Sequence, residues 1–149
     1  MTPEGRIQEL FYEKIPLTRA LGVRVEEYAG GRLTLTAPLS ANVNHLGTAF
    51  GGSLHAVAVL SGYGLLWLEL RDLDPHIVIR DSTISYERPV TGDLRAVCQS
   101  PGAEEIERFR QTFLHKGRAR ITLDATIEDA GRPAVRFRGT FVALRDLKN

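Results

Sequence analysis

The feature that most constrains the fold is an apolar stretch at residues 44–68, with the sequence NHLGTAFGGSLHAVAVLSGYGLLWL. It opens with a Gly-rich turn and continues as an apolar run that is about long enough to cross a membrane. However, His55, Ser61 and Glu69 fall within the run from Leu54 to Leu70, and membrane spans rarely carry such polar side chains. The stretch therefore predicts a helix that is buried in a protein core, and no membrane span.

The size and composition of the chain fit one globular domain that covers residues 1–149. The sequence is 43% hydrophobic and 25% charged, which is ordinary for a domain with a real core. The single Cys98 cannot form an intrachain disulfide, and no basic-then-apolar leader opens the chain, so we expect a reducing, cytoplasmic location. A formal net charge of +1, spread along the whole sequence, gives no broad electrostatic surface for nucleic acid.

Segments on both sides of the predicted helix alternate between apolar and polar residues, as strands do. Apolar residues at helical spacing predict two further helices, at residues 3–14 and 103–117. This order of elements predicts an α+β fold in which an antiparallel sheet wraps around one apolar helix. The six predicted strands lie at residues 22–30, 31–39, 76–89, 93–100, 117–128 and 132–144.

The start of the predicted central helix is suited to stabilise a developing negative charge. The first N–H groups of a helix have no intrahelical partner and carry a partial positive charge. Gly51 and Gly52 have no Cβ, which would let a substrate carbonyl approach these amides, although the two glycines could also serve only to turn the chain. Asn44 adds a neutral amide donor just upstream, and His45 beside it is a candidate pocket residue.

Other catalytic motifs fit this sequence poorly. The segment GGSLH lacks the final Gly of a nucleophile elbow, and no Lys follows the glycines as in a phosphate-binding loop. The four histidines lack metal-ligand spacing, so we expect no metal and no cofactor. His55 is predicted to be an interior or interface histidine. Gly62 and Gly64 each cost about 1 kcal/mol of helix propensity relative to Ala, and close packing of helix on sheet is the expected compensation.

The order of elements and the opening motif resemble the hot-dog fold of the thioesterase and dehydratase superfamily. The resemblance covers nearly the whole chain and is strongest in Asn44-x-x-Gly47-Thr48-x-Phe50-Gly51-Gly52 and in Tyr86-x-x-Pro89. It implies a homodimer with sheets joined edge to edge and active sites at the subunit interface. It also implies a thioester substrate whose carbonyl accepts hydrogen bonds from backbone N–H groups at the start of the central helix. Open sheet edges independently predict a dimer or a dimer of dimers.

The sequence departs from the thioesterase pattern at two positions. In the hydrolases that the chain resembles, a His commonly precedes Gly-Gly, and a carboxylate follows about two helical turns later, whereas this chain has Phe50 and Val59 there. Hydrolysis needs a group that activates water. Asp81 could supply it from the neighbouring strand, or it could be a structural carboxylate paired with Arg80 or Arg88, and the sequence leaves both readings open.

A reaction that needs no such base fits the remaining groups better. A malonyl thioester loses carbon dioxide when its carboxylate leaves water for an apolar pocket while donors stabilise the enolate at the thioester oxygen. Phe50 and Val59 would line the apolar pocket. Asn44 and the amides of Gly51 and Gly52 would bind the enolate oxygen.

The Asn-His opening and the Phe-Gly-Gly-Ser-Leu helix start also resemble a narrower hot-dog family of thioesterase-like domains, which occur alone or fused behind an acetyltransferase. Its members are associated with decarboxylation of malonyl-acyl carrier protein, which supplies acetyl-acyl carrier protein to start fatty-acid synthesis. The resemblance implies that Asn44 is catalytic and that this chain is the stand-alone form. The alternatives are an acyl-thioester hydrolase and a non-catalytic module that binds acyl thioesters.

The polar face of the last predicted hairpin carries Arg118, Arg120, Arg136 and Arg138. Asp124 is expected roughly opposite Arg136 or Arg138, and these two arginines should be neutralised by cross-strand pairing. Arg118 and Arg120 are then candidate docking residues for an acidic acyl carrier protein or for the phosphates of coenzyme A. The alternative is that they belong to an ordinary solvated sheet face.

Overall fold

A six-stranded antiparallel sheet frames the protein in a computed structural model that describes residues 1–145. The strands are β1 (Arg24–Ala29), β2 (Arg32–Ala37), β3 (His76–Tyr86), β4 (Leu94–Gln99), β5 (Arg118–Asp129) and β6 (Arg132–Leu144). Their order across the sheet is β1-β2-β4-β5-β6-β3, so β1 and β3 form its two edges. All six predicted strands are therefore present, with ends shifted by up to three residues.

Four helices accompany the sheet: α1 (Pro3–Lys14), α2 (Leu17–Leu21), α3 (Gly51–Glu69) and α4 (Ala103–Lys116). The Thr2 hydroxyl caps α1 by accepting the Gly5 N–H at 3.0 Å, and Gly117 in the left-handed conformation ends α4. The sequence predicted α1, α3 and α4. It did not predict α2, because five residues are too few for a helical period to show.

The apolar helix α3 is the centre of the core. By length and composition it could cross a bilayer, but 61% of its most apolar window is buried inside the domain. An added Cβ on Gly62 would lie 2.5 Å from Phe141 Cζ on β6, and one on Gly64 would lie 2.7 Å from Leu33 Cδ2 on β2. Both neighbours are fully buried. The close packing of helix on sheet that the two glycines predicted is thus confirmed.

Cys98 lies on β4, in the same core. Burial raises the pKa of its thiol to about 12, and a thiol that stays protonated is a poor nucleophile. Cys98 therefore acts as a small apolar side chain.

The two edges of the sheet are covered differently. The Gln8 side chain of α1 binds the backbone at β1, donating to Val23 O at 3.0 Å and accepting from Val25 N at 2.7 Å. The outer edge of β3 pairs with no strand of residues 1–145, and Val78 and Ile79 on it are 44% and 38% exposed. An open edge with exposed apolar side chains is a natural place for another strand to pair.

Candidate active site

The loop that leads into α3 is closed by its own backbone. Phe50 N–H donates to Asn42 O at 2.7 Å, and Asn44 N–H donates to Thr48 O at 2.7 Å. Gly47 makes the turn between them with φ of +82°, a conformation that residues with a Cβ rarely adopt. The loop therefore returns the chain beside Asn44 and places Asn44 next to the first residues of α3.

The Asn44 side chain belongs to the hydrogen-bond network of this loop. Its Oδ1 accepts from Leu46 N–H at 2.8 Å and from Thr48 N–H at 3.1 Å. Its Nδ2 donates to Thr48 Oγ1 at 2.9 Å, and the nearest other acceptor, Ala49 O, is 3.5 Å away. The second distance is long for a hydrogen bond. Asn44 thus shapes the loop and retains one weakly engaged amide hydrogen that a ligand could use.

The first turn of α3 presents backbone donors without a side-chain cap. Phe50 is the N-cap residue, and its side chain makes no capping hydrogen bond. The helical ladder begins where Leu54 N–H donates to Phe50 O at 3.1 Å, so the N–H groups of Gly51, Gly52 and Ser53 lack intrahelical partners. These donors and the positive end of the helix dipole suit an oxyanion.

The space beside the two glycines is occupied by aromatic rings. An added Cβ on Gly52 would lie 2.5 Å from Phe50 Cε2, whereas one on Gly51 would make an ordinary contact of 3.7 Å with Tyr86 Cε1. The Tyr86 hydroxyl donates to Gly51 O at 3.3 Å. The expectation that both glycines clear the way for a substrate carbonyl therefore needs correction, because Gly52 makes room for the Phe50 ring. Phe50 itself is 56% exposed and lies at the rim of the site.

A cavity of about 330 Å³ adjoins the first turn of α3. Its lining includes Thr48 and Ala49 of the loop, Leu54 of α3, and residues 86–90 after β3. The motif Tyr86-x-x-Pro89 thus lies beside Gly51 at the start of α3.

The two charged side chains in this lining are engaged elsewhere. The Glu87 carboxylate binds Arg136 at 3.0 Å. The Arg88 guanidinium donates to three backbone carbonyls on the turn between β5 and β6, those of Asp129, Arg132 and Pro133. The cavity is therefore bounded by backbone donors, apolar side chains and charges that already have partners.

A second cavity of about 250 Å³ lies further along α3 and is almost wholly apolar. It is lined by Ile15, Leu17, Ala56, Val59, Leu60 and Tyr63. Val59 is thus placed in an apolar groove, in the position where the hydrolase pattern has a carboxylate. Burial raises the pKa of the Tyr63 hydroxyl, so that side chain stays neutral.

Asp81 does not join the site at the start of α3. Ser82 faces α3, because its Oγ lies 3.1 Å from His55 Nε2. Successive strand residues point to opposite faces, so Asp81 points away from α3 with Thr140, its partner in the β3–β6 register. Within one subunit, Asp81 therefore does not face the start of α3, and its role as a water-activating base stays a prediction. The ion pair with Arg80 or Arg88 is also absent from residues 1–145.

A β-bulge explains why Asp81 faces away from α3. The register of β3 shifts between Ile79 and Asp81, so that one extra residue lies between the segments before and after the shift. Plain alternation would put Asp81 on the inner face with Ile77 and Ile79. After the bulge, the inward-facing positions are shifted by one residue, so Ser82 and Ile84 point inward instead.

His55 and His45 have different surroundings. The His55 ring contacts Ser82 and lies 5.8 Å, between centroids, from the Phe137 ring. The sequence could not reveal this pairing, because it depends on the bulge in β3. His45 is exposed on the loop. Among residues 1–145, no three His, Cys, Asp or Glu side chains are placed to hold a metal ion.

The arginines of the last hairpin divide into two groups. Arg138 binds Asp124 at 2.7 Å across the β5–β6 ladder and lowers the pKa of that carboxyl. Arg136 binds Glu87 instead, so Asp124 neutralises only one of its two expected partners. Arg118 and Arg120 are exposed and form no ion pair within the described residues.

A further cavity, of about 710 Å³, lies at Arg120 between α4 and β5. Arg80 and Arg108 also line it, together with Asp81 and Glu105. Three guanidinium groups thus face one recess, which has more positive than negative side chains.

The sequence matches the model of a protein family described as "Putative thioesterase (yiiD_Cterm)" over residues 4–145. This match covers nearly all of the residues that the structure describes.

Solved structures share the fold over nearly the full length of the chain. A protein of unknown function from Chlorobaculum tepidum is 33% identical, with a TM-score of 0.92 and coverage of 96% of this chain and 94% of that chain. A protein from Shewanella oneidensis described as a putative thioesterase is 26% identical, with a TM-score of 0.83 and coverage of 95% and 97%. A protein from Pseudomonas aeruginosa described as a probable thioesterase is 24% identical, with a TM-score of 0.83 and coverage of 96% of both chains. These likenesses confirm the predicted α+β hot-dog fold.

Proposed function

The chain belongs to the "Putative thioesterase (yiiD_Cterm)" family, and on that premise we propose that this protein decarboxylates a malonyl thioester. The family and the thioesterase neighbours support the coarser function, which is that of an enzyme acting on an acyl thioester. The favoured substrate is malonyl-acyl carrier protein, and the product, acetyl-acyl carrier protein, would start fatty-acid synthesis.

One observation carries the choice of decarboxylation over hydrolysis. The cavity at the start of α3 has Glu87 as its only carboxylate among the described residues, and Arg136 already binds it. Hydrolysis requires a group that deprotonates or orients water. Decarboxylation requires only that the substrate carboxylate be desolvated and that the enolate be stabilised.

The proposed reaction uses the groups at the start of α3. The thioester oxygen would accept hydrogen bonds from the free N–H groups of Gly51 and Gly52 and from the weakly engaged Nδ2 hydrogen of Asn44. The malonyl carboxylate would lie against Leu54 and Val90, away from water. The bond between the α-carbon and the carboxylate then breaks, carbon dioxide leaves, and the electron pair forms the enolate on the bound oxygen.

Hydrolysis of a longer acyl thioester is the second candidate, and two observations favour it. The apolar groove along α3 could hold an acyl chain, and the His55 ring, with Ser82 at 3.1 Å, could act as the missing base. A third possibility, in a different class, is a module that binds acyl thioesters without reaction.

Purified protein incubated with malonyl and long-chain acyl thioesters separates the three functions. We expect carbon dioxide release from the malonyl thioester without release of free thiol. Thiol release from either substrate would indicate a hydrolase. Binding without either product would indicate a non-catalytic module.

We also propose that two copies pair through β3 to form a homodimer, alone or within a dimer of dimers. The edge of β3 is eleven residues long and open in the described chain, and the site at the start of α3 would then lie near the interface. At micromolar concentration, light scattering should give twice the chain mass, or four times that mass for a dimer of dimers. Ile79→Lys should shift the protein towards monomer, because a charge on an edge strand opposes pairing.

Arg24→Lys on the opposite edge strand, β1, is the control. It keeps the charge and should leave the mass unchanged. A wild-type chain that scatters as a monomer would contradict both the dimer and an interfacial site.

Arg118 and Arg120 are proposed to dock an acidic carrier protein or the phosphates of coenzyme A. Reversing both charges, Arg118→Glu with Arg120→Glu, should raise KM by about tenfold and flatten its dependence on salt, because steering of an anion is lost. The double variant Arg6→Glu with Arg24→Glu makes the same change in net charge on exposed residues of α1 and β1. If both double variants have the same KM and salt dependence, the docking proposal is wrong.

A further inference from the structure

The contact between His55 and Ser82 joins the first turns of α3 to the edge strand β3. His55 Nε2 lies 3.1 Å from Ser82 Oγ, while His55 Nδ1 has no hydrogen-bond partner within residues 1–145. Both side chains are half-buried. The ring is supported on one side by Phe137, at 5.8 Å between centroids. The imidazole is thus held in place and keeps one nitrogen free.

The helix places this imidazole close to the proposed oxyanion donors. His55 follows Gly51 by four residues and Gly52 by three, and residues at these spacings share one helix face. Helical side chains also lean towards the N-terminus, so the His55 ring extends over the turn that begins at Gly51. A thioester bound to the Gly51 and Gly52 amides would lie at the end of the helix face that carries His55.

Decarboxylation also requires a proton donor for the α-carbon of the enolate. When carbon dioxide leaves, the α-carbon of the enolate must take up a proton before the acetyl thioester can form. Asn44 and the backbone amides stabilise the enolate oxygen but are poor proton donors to carbon. A nearby proton donor with a path to solvent is required.

We infer that His55 and Ser82 form the relay that delivers this proton, an inference that rests on the proposed decarboxylation. With the Ser82 hydroxyl donating to Nε2, the neutral ring carries its own proton on Nδ1. The enolate α-carbon takes the Nδ1 proton, Nε2 takes the Ser82 proton, and water restores the Ser82 hydroxyl and leaves a hydroxide ion. The ring then returns from the Nε2–H to the Nδ1–H tautomer by exchanging its proton with water. One proton enters from solvent for each carbon dioxide released, so the acetyl thioester forms without any oxidant or further reactant.

The test follows the fate of the enolate in two relay variants, His55→Gln and Ser82→Ala. Each is assayed on a malonyl thioester in buffer that contains carbon-13 bicarbonate. Slow protonation gives carbon dioxide time to return to the enolate, so the residual malonyl thioester should gain the label. We expect His55→Gln to lower turnover by roughly 10²-fold, and Ser82→Ala to lower it less, both with label return.

Thr83→Ala is the matched control, because Thr83 follows Ser82 on the same strand and its side chain points to the other sheet face. Wild type and Thr83→Ala should both give acetyl thioester with no label in the residual substrate. Circular dichroism reports whether each variant is folded. If His55→Gln is not folded, Ser82→Ala decides the outcome, since it removes a single hydroxyl group from the strand.

The outcomes separate the relay from the proposed function. If the wild type makes no acetyl thioester, decarboxylation fails and the relay fails with it. If the wild type decarboxylates and both relay variants behave like Thr83→Ala, only the relay is wrong. A fall in turnover without label return also overturns the relay, because it shows that His55 acts by shaping the site.

Discussion

Replacing Asn44 with Ala is expected to lower turnover on a malonyl thioester by ~10²–10³-fold, the usual effect of losing one preorganised oxyanion donor. Asn44→Asp should be as damaging or worse. Its carboxylate keeps the acceptor for Leu46 N–H and Thr48 N–H, but it lacks the donor and places negative charge beside the enolate. Steady-state rates on the malonyl thioester, with circular dichroism to check folding, measure both effects.

Asn44 also organises its loop, so a control must separate that role from catalysis. Thr48→Val removes the hydroxyl that accepts from Asn44 Nδ2 at 2.9 Å and leaves the side chain of Asn44 itself intact. We expect it to cost far less turnover than Asn44→Ala. Equal losses in the two variants would show that Asn44 matters only for the shape of the loop.

Gly62→Ala is expected to destabilise the fold by about 1–3 kcal/mol, as overpacking of a filled core does. The added Cβ would lie 2.5 Å from Phe141 Cζ and 2.7 Å from Phe141 Cε2, and Phe141 is fully buried. The effect should appear although Ala favours a helix over Gly by about 1 kcal/mol. Urea denaturation of wild type and variant measures the free energy of unfolding.

A second substitution tests the cause of that loss. Phe141→Leu replaces the ring that the new methyl group would meet with a smaller side chain. The double variant Gly62→Ala with Phe141→Leu should therefore lose less free energy of unfolding than the two single variants lose together. The two residues should therefore show a coupling energy of about 0.5–3 kcal/mol. Additive effects would mean that Gly62 is needed for another reason.

The sequence predicted the regular elements well where a period was long and unbroken. The strand β5 alternates over most of its twelve residues, and β6 alternates from Val135 to Phe141. The apolar length of α3 left a buried central helix as the natural interpretation. The packing role of Gly62 and Gly64 was predicted because glycine lowers helix propensity, which close packing on the sheet would offset. By contrast, α2 is too short to produce a recognisable period.

The site was predicted less completely, because its side chains depend on strand register. One bulge in β3 turns Asp81 away from α3 and brings Ser82 to His55. No residue type in that segment indicates the bulge. A second register shift, between Ile127 and Glu128, helps decide which arginine faces Asp124. Asn44, Gly51 and Gly52 do lie together at the start of α3, because a short stretch of chain joins them; their role in catalysis stays a prediction.

The most direct test of the proposed function is mass spectrometry of the acyl group after the protein has acted on malonyl-acyl carrier protein. Decarboxylation at the start of α3 predicts acetyl-acyl carrier protein as the product, with the thioester bond intact, and much less of it from Asn44→Ala. Free malonate together with unacylated carrier protein would contradict decarboxylation and show that the protein is a hydrolase.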